Sequence, residues 1–352
     1  MSKYRSFRLF NNKLSFLADR KAVSAILLLL MLLAAAVIAS TGLGDVKMTP
    51  WGVLQVFSGA GSDLDRLVVM EFRLPRTIIA VFVGMALATA GGILQGMIRN
   101  PLASPDIIGI TGGAGAAVVG FLTLFSNQDN VLTVSIDWLP LAAFIGAFTT
   151  ALLVYLLSWQ GGVSPVRLVL IGIGIAALMQ AIITFLMIMG PIHQAAQANI
   201  WITGSVNGSN WFNVQVIVPW VVLLLMAAFI SAGRINVLEL GDDLATGLGS
   251  RIQRQRFVLL VISTALVGAA VAFAGGVGFV GLMAPHMARR IVGSAYGALL
   301  PVSALIGGLI VLLADVIGRT LFLPLEVPAG VFTAAIGAPY FIYLLFKTRN
   351  SL

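Results

Sequence analysis

The chain has 352 residues, of which 59% are apolar and only 10% charged, and it contains no cysteine. Ordinary soluble domains carry about 25% charged residues, so this chain lacks the polar surface a soluble enzyme, a nucleic-acid-binding domain or a disordered protein needs. The formal net charge of +8 then reflects where the loops sit relative to a membrane rather than an acidic partner, and without cysteine there are no disulfides, thiolate metal ligands or cysteine nucleophiles.

A bilayer core of about 30 Å takes about 20 apolar residues per helix. In chain order this predicts ten spans: 23–44, 76–98, 107–126, 138–158, 167–190, 211–232, 257–275, 278–293, 298–318 and 328–346. The first reads as a retained helix rather than a signal peptide, because no small-residue cleavage site clearly follows it. The eighth is short and rich in Gly and Pro, as a re-entrant or broken helix would be. The domain reading is a cytoplasmic tail over 1–22 and one transmembrane domain over 23–347, all-α and polytopic.

Charge fixes the expected orientation. With the N-terminus cytoplasmic, sixteen basic and five acidic residues fall inside, and five basic and eight acidic fall outside, a net of +11 against −3. The inside set comprises six in the tail from Lys3 to Lys21, then Arg99, Arg167, Arg234, Arg251, Arg254, Arg256, Arg289, Arg290, Lys347 and Arg349. The outside set is Lys47, Arg66, Arg73, Arg76 and Arg319. This is the positive-inside bias; both termini are expected in the cytoplasm. The nonapeptide Gly84–Gly92 matches Gly268–Gly276 at six of nine positions, and at the same offset Pro101 falls on Pro285. In opposite orientations these would be halves of an inverted repeat, 76–190 and 257–346, as many transporters have.

Several motifs are missing or misleading. There is no GxxxxGK[ST] loop. Gly276-Val-Gly-Phe-Val-Gly281 lacks the strand and ribose-binding acid of a dinucleotide site and reads as close helix packing or a helix break. Asn207-Gly-Ser209 fits the glycosylation sequon, a triplet common by chance. The two histidines, His193 and His286, are predicted on opposite sides and cannot share a metal; His286 reads as a capping or packing residue. No Ser/His/Asp or paired-carboxylate set lies in a span.

Four segments stand out. Glu71-Phe-Arg73-Leu-Pro75-Arg76 puts two arginines just before the second span, with Pro suited to a first helical turn; they are either snorkelling cations or a docking point for acidic groups of an external protein. Arg99-Asn100-Pro101-Leu102-Ala103-Ser104-Pro105-Asp106 is a tight connection, either an ordinary turn or irregular backbone lining a cavity. The segment 238–249, within an inner loop of about 233–256, is flanked by four arginines. Asp242 or Asp243 can cap a short helix there that Gly247 or Gly249 ends. Leu244 and Leu248 would share one face at i, i+4, suited to a partner's groove or to lipid. Finally, Gly278–Arg290 is followed by Asp315 and Arg319, spaced to pair on one helix face.

These strings together resemble the FecCD family, BtuC-like permeases of type II ABC importers for iron-siderophores, haem and vitamin B12. The resemblance spans about residues 20 to 348 and is strongest over 73–115 and 275–340. It rests on Arg-Leu-Pro-Arg at 73–76, Gln95, Asn-Pro-Leu-Ala-Ser-Pro-Asp at 100–106, and Gly109-Ile-Thr-Gly-Gly-Ala. It rests equally on Leu-Gly-Asp-Asp-x-Ala-x-x-Leu-Gly at 240–249, Gly-Phe-Val-Gly-Leu-x-x-Pro-His at 278–286, and Pro-x-Gly-x-x-Thr-x-x-x-Gly-x-Pro at 328–339. Ala284 departs from the valine of many members.

The resemblance implies ten spans, pairing with an identical or different permease subunit, two ATP-binding subunits below and an extracytoplasmic substrate-binding protein above. It implies that Arg73, Arg76 and Arg319 contact acids of that binding protein. Leu240, Gly241, Asp242, Asp243, Ala245, Leu248 and Gly249 would form the coupling helix that enters the ATPase. Asn100, Pro101 and Leu102 would lie near the inner gate, with Gln180 and Thr184 of the fifth span lining the path. The implied cargo is a ferric siderophore, with haem or cobalamin as alternatives; the setting is the bacterial cytoplasmic membrane and its lipid bilayer. No nucleic acid, metal site or catalytic residue is expected, and ATP with Mg would sit on the partner ATPase. An ion-coupled secondary transporter is the rival; it would need ionisable residues at the midplane, where the spans hold almost none.

Overall fold

The computed structural model describes residues 4–9, 14–44, 46–126, 132–190 and 192–349. Lys3, Lys13, Asp45 and Asp129 of the charge reading lie outside them, as do the side chains of Arg5, Arg8, His193, Lys347 and Arg349. In the stretch read only as a tail, β1 (Tyr4–Leu9) pairs antiparallel with β2 (Leu14–Asp19), Phe7 opposite Phe16. The rest of the described chain is helical. Asp19 accepts from the Lys21 N–H at 2.9 Å and so caps α1 (Arg20–Gly42), satisfying one of the amide donors a helix start leaves open. In α2 (Pro50–Phe57), Thr49 provides the cap and Pro50 sits in the first turn. A reciprocal Ser62–Asp65 capping box opens α3 (Asp63–Arg66).

No break follows α3. A π-helical turn over Leu67–Arg73 leads directly into α4 (Leu74–Ile98), giving one run of 36 residues from Asp63 to Ile98. At 1.5 Å per residue that rod is about 54 Å long, well beyond an apolar core. The expected start at residue 76 is therefore late: charge at Asp63, Asp65, Arg66, Glu71 and Arg73 lowers hydropathy without interrupting helical backbone.

Then come α5 (Ile110–Leu124), a 3-10 turn at Ile136–Trp138, α6 (Leu139–Leu157), α7 (Pro165–Met189), α8 (Ile192–Thr203) and α9 (Trp211–Ile230). The remainder is α10 (Ala232–Glu239), α11 (Asp242–Gly247), α12 (Ile252–Ala274), α13 (Val280–Val292), α14 (Tyr296–Thr320) and α15 (Ala329–Arg349). Each expected span coincides with a helix. Seven of the described helical runs are long and apolar enough to cross a membrane; α5 and the described part of α15 are shorter apolar helices. Only 13 residues long, α13 spans about 20 Å. Backbone outside helical geometry at Gly275–Phe279 separates it from α12, so the Gly-rich string is a helix break.

The rod is the core. Of its most apolar stretch 83% is buried, against 11% for α1 and 17% for α7. It packs on α14, α12, α13 and α9. A side chain at Gly84 would overlap the Gly307 carbonyl, one at Gly307 would overlap the Gly84 carbonyl, and one at Gly91 would strike Gly281. Lipid offers no hydrophobic drive for helix association, so such backbone-to-backbone contacts supply it through dispersion. At the offset of 184, Gly91 lies inside α4 while its counterpart Gly275 ends α12.

Candidate functional site

Charged clusters stand at the first turn of α4 and just past its C-terminus. At the first, Arg76 donates from Nε to Asp315 Oδ1 of α14 at 3.0 Å, and its Nη2 stands 2.9 Å from the same oxygen in an ion pair. Its Nη1 donates to Glu326 Oε2 at 2.9 Å and Oε1 at 3.2 Å, and to Asn207 Oδ1 at 3.2 Å. Arg319, one turn on from Asp315, brings Nε within 3.4 Å of Asp315 Oδ2. This is the i, i+4 pair read from the spacing, joined by a third partner from a distant helix. Asp315 is 2% exposed, and Arg76 and Arg319 are 14% and 7% exposed.

Arg319 and Arg73 have a second task. Arg319 donates to Leu43 O at 2.6 Å, to Ser40 Oγ at 2.9 Å and to the Ser40 carbonyl. Arg73 donates to Thr41 O at 3.0 Å, Gly42 O at 3.3 Å and Val46 O at 2.7 Å. The last turn of α1 has no basic residue of its own. Two cations borrowed from other helices thus take up carbonyls a helix C-terminus leaves open and meet its negative dipole end. All three arginines expected to face an external protein are, in this conformation, engaged inside the chain.

At the other end, α4 stops at Ile98 because Arg99 turns left-handed, with φ 58°. Asn100 Oδ1 then accepts from the Leu102 N–H at 2.9 Å and Ala103 N–H donates to Asn100 O at 3.1 Å, so Asn100, Pro101 and Leu102 form a tight turn. Asp106 follows. The Thr111 hydroxyl donates to its Oδ1 at 2.8 Å and the Phe279 amide faces it. Desolvation by the surrounding chain pushes its carboxyl above the ordinary range and those two contacts pull it partly back, although the residue itself is exposed to solvent. Gln95 is buried and donates to Gly281 O and Leu282 O, both at 3.4 Å. On α7, Gln180 and Thr184 are exposed and share one face, the Thr184 hydroxyl donating to Gln180 O at 2.9 Å.

The segment at 238–249 forms α11 with one correction. Neither aspartate caps it: the N-cap is Gly241, at φ 104°, with no side-chain bond. Asp242 instead turns to arginines. Arg256 Nη2 meets its carboxylate at 2.7 and 3.0 Å, and Arg99 Nη2 meets it at 3.1 Å. The end is as expected from the glycines. Ser250 N–H donates to Ala245 O at 3.0 Å and Gly249 N–H to Thr246 O at 2.8 Å, with Gly249 at φ 78°, the paired bonds of a Schellman stop. Ala245 faces inward and is fully buried, while Leu240, Leu244 and Leu248 are 54%, 62% and 67% exposed.

His286 packs edge-on to Tyr340, centroids 5.8 Å apart, and its Nε2 accepts from Arg290 Nε at 3.2 Å; this is a packing role. Among the described residues no three His, Cys, Asp or Glu come together as a metal site. Two features have no counterpart in the hydropathy pattern. One is α8. The other is a crevice of about 810 Å³ between α6, α9 and α12, lined among others by Trp138, Phe144, Trp201, Phe212 and Trp220. None of the candidate path residues lines it.

A helical bundle with seven described runs of membrane-crossing length, a central glycine-packed rod and a short turn that is held by arginines and exposes leucines defines a multi-pass membrane protein of the transport kind. The chain belongs to the FecCD transport family, which matches residues 31–347. It is 60% identical over 334 residues to the "Probable siderophore transport system permease protein YfhA" of Bacillus subtilis (strain 168), covering 95% of this chain and 97% of that one. The "Achromobactin transport system permease protein CbrC" of Dickeya dadantii (strain 3937) is 46% identical, with 93% of each chain covered. A solved structure described as an inward-facing conformation of an ABC transporter assigned to the metal-chelate type superposes with a TM-score of 0.82 at 30% identity. The match covers 92% of this chain and 99% of that one.

Proposed function

We propose that the chain is the transmembrane permease subunit of an ATP-binding-cassette importer that carries a ferric siderophore across the bacterial cytoplasmic membrane. The observation that carries this reading is α11. A helix of six residues, stopped at both ends and stripped of internal leucine contacts, leaves Leu244 and Leu248 exposed on one side while Ala245 and Asp242 anchor the other. A small apolar face on a firmly held turn is suited to a groove on an ATPase. The names of the relatives, a siderophore permease and an achromobactin permease, support the cargo class.

In this reading the chain crosses the membrane ten times with both ends inside, as the charge asymmetry argues, and pairs with a second permease subunit around a central path. Asn100, Pro101 and Leu102 stand at the inner gate, and Gln180 and Thr184 on the wall. A wide path walled by small and weakly polar groups suits a bulky chelate that must also be released. ATP binds on the partner ATPase; differential affinity for two states shifts the path between outward- and inward-open forms. The substrate-binding protein docks where Arg73, Arg76 and Arg319 gather, its carboxylates replacing the internal ones that now hold Arg76. An ion-coupled mechanism is disfavoured because the buried acid of the described spans, Asp315, is already paired with two arginines.

The test is co-purification with an ATPase chain and uptake of 55Fe-loaded siderophores by a deletion strain complemented with this gene. Uptake that survives without any ATPase partner would overturn the reading.

A further inference from the structure

We infer that Asp242 is a positioning residue that transmits motion of α11 to α7 and α4, through two arginines that grip it from different helices. The inference rests on the reading of α11 as the contact to an ATPase. Three separate elements meet at this carboxylate. Arg99 reaches it from the C-terminal end of the 36-residue rod, at 3.1 Å, and its left-handed backbone directs the side chain there. A Cβ on the preceding Gly241 would stand 3.4 Å from Arg99 Nη1, an ordinary contact, so the φ of 104° rather than the guanidinium is what favours glycine there. Arg256 reaches it from α12.

Arg256 is the informative member. Its side chain is 5% exposed, and it holds two partners at once: Nη2 takes both oxygens of Asp242, and Nη1 donates to Val163 O at 2.8 Å. The amide of Val163 donates in turn to Gln253 Oε1 at 2.9 Å. Val163 is buried and stands two residues before Pro165, the first residue of α7. A planar guanidinium with donors on both edges is what such a bridge needs; a lysine ammonium, a single point of charge, cannot span it. One buried cation therefore ties α11 to the start of the helix that carries Gln180 and Thr184. Asp242 itself is 43% exposed, so the tie rests on the buried guanidinium, which is costly to leave without its partners; movement of α11 therefore draws on the 160–165 turn through Arg256. Asp243, the neighbouring acid, makes none of these contacts and is exposed, which separates a holding acid from an outward-facing one within one dipeptide.

The absence of native cysteine permits clean labelling. In the full complex with the partner ATPase, in lipid nanodiscs, spin labels go on Val166→Cys in the first turn of α7 and Leu28→Cys on α1. Both positions are exposed, at 67% and 54%. The interlabel distance is compared without nucleotide and with ATP plus vanadate. The parent complex shows a shifted distance population. In Asp242→Asn complexes that hold the ATPase, the ratio of shifted to unshifted populations falls about fivefold or more, the low end of coupling between sites. Asp242→Glu restores it. Arg256→Lys, which keeps the buried charge should Asp242→Asn fail to assemble, loses the shift likewise. An undiminished shift in Asp242→Asn or Arg256→Lys overturns the inference. So does a parent complex with ATPase bound and no shift, or loss of the ATPase from Asp242→Asn alone, which would make Asp242 a docking residue. Failure of the parent chain to bind any ATPase overturns the proposed function instead.

Discussion

Arg76 on α4 and Asp315 on α14 form an ion pair between two helices of the core, 2.9 Å apart with Asp315 only 2% exposed. Arg319 adds a second cation to the same carboxylate. Removing one member of a buried pair leaves uncompensated charge and costs about 3–5 kcal/mol. Asp315→Asn leaves two low-exposure guanidiniums sharing a neutral amide and is expected to lose stability on that scale, read as a lower unfolding midpoint in nanodiscs. Unchanged melting would mean the cluster contributes nothing to holding α4 on α14.

Glu326 differs. It is 38% exposed and occupies the outward nitrogen of Arg76, the position an incoming carboxylate would take. Exposed pairs contribute about 0–1 kcal/mol, so Glu326→Gln leaves the fold nearly as stable. If the binding protein docks through Arg76, removing this internal competitor tightens its binding, and the gain shrinks as salt screens the charges. Surface plasmon resonance on immobilised nanodiscs measures both; weaker or unaltered affinity argues that Arg76 is spoken for internally and docking lies elsewhere.

What the sequence could and could not announce follows from the range of each interaction. Apolar runs mark helices directly, and the Asp315–Arg319 spacing needs only one turn of helix to predict contact. Gly247 and Gly249 signalled the end of α11 because a Schellman stop is local. By contrast, Arg319 meets the end of α1 across 276 residues, and no periodicity reports that. The same limit hid the true role of Asp242: a capping residue and a carboxylate held by arginines look alike until the helix ends are placed. Hydropathy starts the rod late, at residue 76 rather than Asp63, because its first turns carry charge. The Gln and Asn content of α8 masked a helix that hydropathy does not detect.

Glycine packing offers a sharp contrast. A side chain at Gly84 would overlap backbone of α14, which cannot swing aside, whereas a Cβ at Gly297 meets nothing within 4 Å. Overpacking a tight interface costs about 1–3 kcal/mol and more where backbone must move. Gly84→Leu should therefore cut the yield of folded protein and lower its melting temperature. Gly297→Ala should stay within about 0.5 kcal/mol of the parent. Equal tolerance at both positions would mean that α4 and α14 do not depend on this approach.

The exposed face of α11 gives the most direct test of the partner. Leu244 and Leu248 stand side by side, 62% and 67% exposed, so Leu244→Asp with Leu248→Asp removes no buried contact and leaves folding intact. If that face enters a groove on an ATPase, two charges desolvated there eliminate the complex, and co-purification falls below detection while melting of the permease is unchanged. Ala245→Trp acts by the opposite route. Ala245 is fully buried, so the bulky ring cannot be housed; it lifts α11 from its seat and loosens the Asp242 contacts behind it. That variant loses thermal stability as well as the partner. Comparing melting with co-purification for the two variants separates a surface that binds from a residue that holds the surface in place.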